Sequence, residues 1–168
     1  HQYADALGDQ GILPGDLVII AHTQNLESIY LFWGAMLAGA IPSMFPTLTE
    51  KLDRTIYMQG LAQLVQLSGV KLVLTTDEFA PLLVGVGCPV LGSSALIKIR
   101  GEIPSVGAPF TASGAGGEVA FLQHSSGTTG LQKGVALSHG AVLNQLASYG
   151  AALGLNEQDV IVSWLPLY

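Results

Sequence analysis

The residues best suited to chemistry sit together in one run, Ser125-Ser126-Gly127-Thr128-Thr129-Gly130-Leu131-Gln132-Lys133-Gly134. It holds four hydroxyls, three glycines and one lysine. Gly127, Gly130 and Gly134 lack a Cβ, so the backbone there can take a positive φ and approach a ligand closely. Successive N–H groups in such a turn form a concave anion site. The hydroxyls of Ser125, Ser126, Thr128 and Thr129 each offer a further donor, and Lys133 supplies a mobile point charge with three donors. No other Lys or Arg follows Gly101. The combination is a cradle for a polyphosphate, and Lys133 is the cation that meets it.

Two common phosphate loops are excluded. A Walker A loop needs Gly immediately before its Lys and a hydroxyl residue after it, whereas Gln132 and Gly134 flank Lys133. There is also no Gly-x-Gly-x-x-Gly following a strand, as a dinucleotide site requires. The run is positioned instead by what borders it. Val119-Ala120-Phe121-Leu122-Gln123 precedes it as a buried strand, and Val135-Ala136-Leu137 follows as a second. A flexible linker does not sit between two apolar strand-like runs.

Earlier in the chain the pattern alternates. A helix over 3–10 is closed by Gly11, and Leu13-Pro14-Gly15-Asp16 makes a turn. The continuous apolar run Leu17–Ala21 predicts a central strand of a mainly parallel sheet, buried on both faces. Asn25 is the N-cap of a helix to about Ala38, Gly39 ends it, and 40–45 is the next strand. Strand, helix, strand in that span is a βαβ unit with a right-handed crossover. A helix over about 50–68 carries Leu52, Ile56, Leu61, Leu64, Val65 and Leu67 at helical spacing and is capped by Gly69. Strands at 71–75 and 89–91 follow, with a short helix near 78–83 between them. Residues 1–100 thus form a first α/β portion. Residues 101–117, rich in Gly and Pro, read as a loop or linker. Residues 118–168 open a second portion, with the phosphate loop, a helix over 138–153 ended by Gly154, and a strand at 159–163.

Composition narrows the function. Of 168 residues, 49% are hydrophobic and 11% charged, which excludes disorder and predicts an extensive core. Charge this sparse also implies apolar surface that belongs against partners. The chain starts at His1 inside a helical pattern and stops after a strand-like run, so it reads as a fragment of a longer protein. A net charge of −6 excludes a nucleic-acid partner. The single cysteine, Cys88, excludes an intrachain disulfide, fits a reducing, cytoplasmic setting and reads as a buried inert thiol. The four His residues are scattered without ligand spacing, so no metal site is expected among these residues. The uncharged stretch 28–46 is interrupted by Pro42 and Gly39, and reads as a buried helix and strand rather than a membrane span.

The ten-residue run resembles the signature loop of the adenylate-forming enzymes, namely acyl-CoA synthetases, luciferases and peptide-synthetase adenylation domains. It matches that loop at every position except Gln132, where proline is usual. Proline mainly fixes φ and offers no donor, so the departure bears on loop stiffness more than on chemistry. Gly11–Val18 and Gly34–Ala40 are similar to early landmarks of acyl-CoA synthetases, and Trp164-Leu165-Pro166-Leu167-Tyr168 to the opening of a later family motif. The resemblance implies an α/β fold, with mainly parallel sheets flanked by helices, as part of the large N-terminal domain of such an enzyme. It also implies that the loop holds the phosphates of ATP through Ser125, Ser126, Gly127, Thr128, Thr129, Gly130 and the catalytic Lys133. Tyr168 is implied as a wall of the acyl pocket, and Trp164 as core packing. His124 stands where the family often has an aromatic residue and is read as packing beside the loop. His139 is read as a helix-start residue.

The implied reaction joins a carboxylic acid, with a fatty acid the first choice, to the α-phosphate of ATP and hands the acyl group to a thiol. ATP, Mg²⁺ and coenzyme A are the implied cofactors. The alternatives are an acyl-AMP ligase loading the phosphopantetheine of an acyl carrier protein, or a non-catalytic nucleotide- or acyl-binding module. The family's adenine segment, magnesium-binding glutamate and C-terminal lysine are not matched within these residues. The piece alone is therefore expected to be inactive.

Overall fold

The structure, a computed structural model, describes residues 1–48, 53–100, 116–125 and 133–163, without the side chains of 98–100, 125 and 133. Their order is α1 (Gln2–Asp9), β1 (Leu17–Ala21), α2 (Leu26–Leu37), β2 (Ile41–Met44), α3 (Arg54–Ser68) and β3 (Leu72–Thr75). A 3-10 turn (Ala80–Leu83), β4 (Val90–Gly92), α4 (Ser93–Arg100), β5 (Val119–Ser125), β6 (Lys133–Ser138) and α5 (His139–Leu153) complete it.

The described strands form one six-stranded sheet in the order β4-β3-β1-β2-β5-β6. All neighbours run parallel except β5 and β6, which are antiparallel. The expected mainly parallel α/β fold is thus present. β1 lies between β2 and β3, and every one of its five residues is buried. Its alternate side chains feed two cores. Val18 and Ile20 pack with Ala6 and Leu7 of α1, Leu31 and Ala35 of α2 and Leu96 of α4. Leu17, Ile19 and Ala21 pack with Tyr57, Leu61 and Val65 of α3 and with Leu83. Burying each of these large aliphatic side chains stabilises the fold by about 1.5–3 kcal/mol, so helices on both faces hold β1 in place.

Local signals account for the helix ends. The Asn25 side chain accepts from the Ser28 N–H at 3.1 Å, and the Ser28 hydroxyl donates back to the Asn25 carbonyl at 2.7 Å. Gly39, past the end of α2, has φ +76° and lies against Pro14. α3 begins one residue after Asp53, whose carboxylate accepts from the N–H groups of Thr55 and Ile56 at 2.8 and 3.0 Å. The Glu50 start expected for this helix lies outside the described residues.

Three features differ from the sequence expectation. Ser93–Arg100 is a helix, directly after β4, where none was anticipated; the Asp77 carboxylate accepts from the Ala95 N–H in its first turn, a contact across 18 positions. Residues 159–163 are not a strand. Val160, Ile161 and Val162 are 78–87% exposed, and a strand needs a neighbour for its backbone groups, which this run lacks among the described residues. Finally, β5 pairs with β2, so 119–138 extend the sheet built by the first hundred residues. Of the expected loop over 101–117, residues 101–115 lie outside the described residues. Among those described, no helix is long and apolar enough to cross a membrane.

The apolar surface anticipated from the composition is present. α5 buries none of its residues, and Leu143, Leu146, Tyr149 and Leu153 are exposed along it.

Candidate functional site

β1 to β5 all run parallel, so their carboxyl ends share one edge of the sheet, the edge at which open α/β sheets bind ligands. β5 reaches that edge at Ser125. The chain comes back as β6 in the register Gln123 with Val135, His124 with Gly134 and Ser125 with Lys133. The pairing runs further than the sequence suggested, because Ser125 and Lys133 are strand residues rather than loop residues. Gly134 also belongs to β6 and is not among the glycines with positive φ. A Cβ there would meet the imidazole in ordinary van der Waals contact, 3.5 Å from the His124 Nε2.

The backbones of Ser125 and Lys133 are therefore direct cross-strand partners at the carboxyl edge, and residues 126–132 connect them. Ser126, Gly127, Thr128, Thr129 and Gly130 lie outside the described residues, as do Trp164 and Tyr168. Of the expected site, the structure thus brings together Ser125 and Lys133. Ser138 caps α5 as expected, its hydroxyl accepting from the Ala141 N–H at 3.2 Å, and His139 is the first helical residue.

His124 is built into the root of this hairpin. Its Nδ1 lies 2.8 Å from the Ser43 hydroxyl of β2, and its ring meets Phe45 edge-on at 6.0 Å. Its Nε2 is buried with no hydrogen-bond partner among the described residues. Burial lowers the imidazole below its ordinary 6.5, opposed by a hydrogen bond to the Met44 backbone, so the ring is neutral at pH 7. The packing role expected for it is met. The unpaired nitrogen was not foreseen, and could not be, since Ser43 is 81 positions away. Beside His124 a pocket of about 400 Å³ opens between α2 and β5, lined chiefly by Ile29, Phe32, Trp33, Met44, Phe121 and Leu122.

A second polar group sits where β1 separates β2 from β3, the point at which the strand order reverses. His22, 2% exposed, has its Nδ1 3.0 Å from the Thr23 carbonyl and its Nε2 3.1 Å from the Ser93 hydroxyl. Glu27 lies 3.7 Å from the same Nε2 and accepts from the Tyr3 hydroxyl at 3.1 Å. Burial, then Glu27, pushes that phenol up to about 12. Each group has its partner inside the fold, so the knot ties α1, α2 and α4 to β1 rather than serving a ligand. Cys88 is half-buried and its thiol is raised by burial, which suits an inert role. No group of three or more His, Cys, Asp or Glu able to hold a metal occurs among the described residues.

Comparison with known proteins agrees with this geometry. The chain is 29% identical to 4-coumarate--CoA ligase 3 of Arabidopsis thaliana, over all of this chain and 31% of that protein. It is 30% identical to long-chain-fatty-acid--AMP ligase FadD26 of Mycobacterium marinum, over 98% of this chain and 29% of the relative. The fold superimposes on a fatty acyl-adenylate ligase from L. pneumophila, solved with acyl adenylate and pyrophosphate, with TM-score 0.80 and 28% identity. That match covers 98% of this chain and 29% of the other. The chain thus spans less than a third of the length of these relatives. The sequence model of the AMP-binding enzymes matches residues 1–168 throughout, and the chain belongs to that family of adenylate-forming ligases.

Proposed function

We propose that the protein carrying this chain activates a carboxylic acid with ATP and passes the acyl group to a thiol. The observation that carries the reading is the hairpin at the carboxyl edge. It sets Ser125 beside Lys133 and closes between them the hydroxyl- and glycine-rich residues 126–132. In the reaction a carboxylate oxygen bonds to the α-phosphorus as the bond from that phosphorus to the β-phosphate oxygen breaks. The electron pair leaves with pyrophosphate. Lys133 and the loop donors hold the β- and γ-phosphates, so they orient the leaving group and stabilise its growing charge. A thiolate then attacks the acyl carbon and AMP departs with the bonding pair. The described residues do not assemble a metal site, so no step here is assigned to Mg²⁺.

A fatty acid is the proposed substrate and coenzyme A the proposed acceptor, in the cytoplasm. Tyr168 is the proposed pocket wall. Two competitors have specific support. The relative named as a fatty-acid--AMP ligase favours an acyl-AMP ligase over a coenzyme A ligase, and the 29% identical coumarate ligase favours an aromatic acid. Residues 1–168 alone are proposed to be inactive, since the relatives are more than three times as long. Carboxylate-dependent ATP–pyrophosphate exchange by the full-length protein tests the reading, with fatty and aromatic acids in parallel. Exchange that requires an acid and is lost in Lys133→Ala supports it. Protein that binds ATP but exchanges with no acid would make the chain part of a binding module and defeat the proposal.

A further inference from the structure

We propose that the outer face of α2, with the pocket beside it, is an internal interface, covered by an apolar segment of the same polypeptide outside residues 1–168. A helix at a protein surface turns polar residues to water and apolar ones inward. The middle of α3 does so: Gln59, Gln63 and Gln66 are exposed, while Tyr57, Leu61 and Val65 are buried. α2 does not. Its inner side holds Ser28, Leu31, Gly34 and Ala35, all buried. Its outer side carries Leu26, Ile29, Tyr30, Trp33 and Leu37, which recur at helical spacing and are 36–66% exposed. Glu27, the one charged residue of the helix, is engaged with the Tyr3 hydroxyl of α1 instead. A helix that is apolar on all sides belongs in an interior.

The outer face runs into a socket. Ile29, Phe32 and Trp33 line the pocket of about 400 Å³ from α2, and Met44, Phe121 and Leu122 line it from the sheet. The Phe32 and Phe121 rings meet edge-on at 5.5 Å, so helix and strand present one continuous apolar surface. No Asp, Glu, Lys or Arg lines it. A contiguous surface of this kind marks a place where something binds, and its lack of charge belongs to a permanent contact rather than one that opens to water. The relatives matched over 98–100% of this chain are more than three times as long. A polypeptide of that length can cover the face itself, without a second molecule. α5 has the same character: no charged residue in its fifteen, none of them buried, and Leu143, Leu146, Tyr149 and Leu153 exposed. The cover is therefore more extensive than a single side chain seated in the pocket.

The test is hydroxyl-radical footprinting of the wild-type, full-length protein, with oxidation at Trp33 read by mass spectrometry in native buffer and in urea. Trp33 is expected to lose nearly all of its oxidation in the native protein, equally at every protein concentration. A native rate close to the rate in urea means that water reaches the face, and overturns the inference. Protection that falls away on dilution, as sedimentation shows an oligomer dissociating, assigns the face to a second copy and overturns it as well. A substitution gives the second reading. Trp33→Lys would place an unpaired charge in an apolar interior, so its urea midpoint should fall well below wild type, whereas Gln63→Lys on α3 should leave the midpoint unchanged. Equal midpoints for Trp33→Lys and wild type overturn the inference. If Trp33→Lys does not fold, the wild-type footprint decides alone. Neither readout uses ATP or an acid, so the outcome is separate from that of the proposed reaction.

Discussion

Gly34 offers a sharp test of how α1 is held. It lies in α2 where that helix passes α1, and a Cβ there would stand 2.5 Å from the Tyr3 Cβ and 3.3 Å from the Tyr3 carbonyl carbon. Two effects oppose each other in Gly34→Ala. Alanine favours the helix by about 1 kcal/mol. Overpacking costs about 1–3 kcal/mol, and here the upper part of that range applies. The atoms in the way belong to or adjoin backbone, so α1 itself must move. That movement disturbs the Tyr3–Glu27 hydrogen bond and the burial of Ala6 and Leu7. A net loss of about 1–2 kcal/mol follows. Gly60→Ala in α3 is the control, because nothing lies within 4 Å of its Cβ; it should gain up to about 1 kcal/mol. Equilibrium urea titrations of both variants beside the wild type measure the difference, read from midpoints at constant slope. Equal stability of the two variants would refute close contact between α1 and α2.

Further expectations concern a cap, a titration and a thiol. Asp53→Ala should cost about 0.5–2 kcal/mol by removing the α3 cap, whereas Asp53→Asn, which keeps an acceptor, should cost much less; equal losses in urea titrations would contradict the assigned cap. Because burial lowers the His124 imidazole below 6.5, the unfolded chain binds that proton more readily. Its contribution to stability is full above pH 6.5 and is lost as pH falls through the lower folded value. Thermal melts from pH 7.5 to 5 should show the decline, and His124→Phe should flatten it; parallel profiles would count against a buried neutral ring. Cys88, raised by burial, should react with iodoacetamide at pH 8 more slowly in the folded protein than in urea, and equal rates would contradict its burial.

Much of the fold was legible because its signals are local. Leu17–Ala21 is apolar without interruption, and that pattern belongs to a strand covered on both faces. The caps at Asn25, Ser138, Gly69 and Gly154 are side-chain or backbone chemistry within a turn of the residue they serve. What escaped needed partners far along the chain. α4 is eight residues long and shares only a short hydrophobic face with α1. The run 159–163 has the composition of a strand, yet a strand exists only through its neighbours. The start of β6 at Lys133 also depended on pairing, since residues as polar as Ser125 and Lys133 do not by themselves announce a ladder.

The candidate site divides the same way. Residues that meet a phosphate are restricted in type, since hydroxyls, an amine and bare backbone are what the chemistry accepts. Such a run can be recognised wherever it stands. Residues that position the site are restricted by place. Ser43 is an unremarkable hydroxyl in a strand until the parallel pairing of β2 with β5 carries it to His124. Gly134 reads as a loop glycine until its register sets it against the imidazole. The two kinds of restriction have different consequences for mutation. Replacing Lys133 should remove the phosphate's charge partner and leave the sheet intact. Replacing Ser43 by Ala should leave every phosphate donor in place but free the ring. The His124 contribution to stability should then shrink, so that His124→Phe costs less in the Ser43→Ala background than in the wild type. A double-mutant cycle in urea titrations measures that coupling; strictly additive losses would mean that Ser43 does not hold the ring.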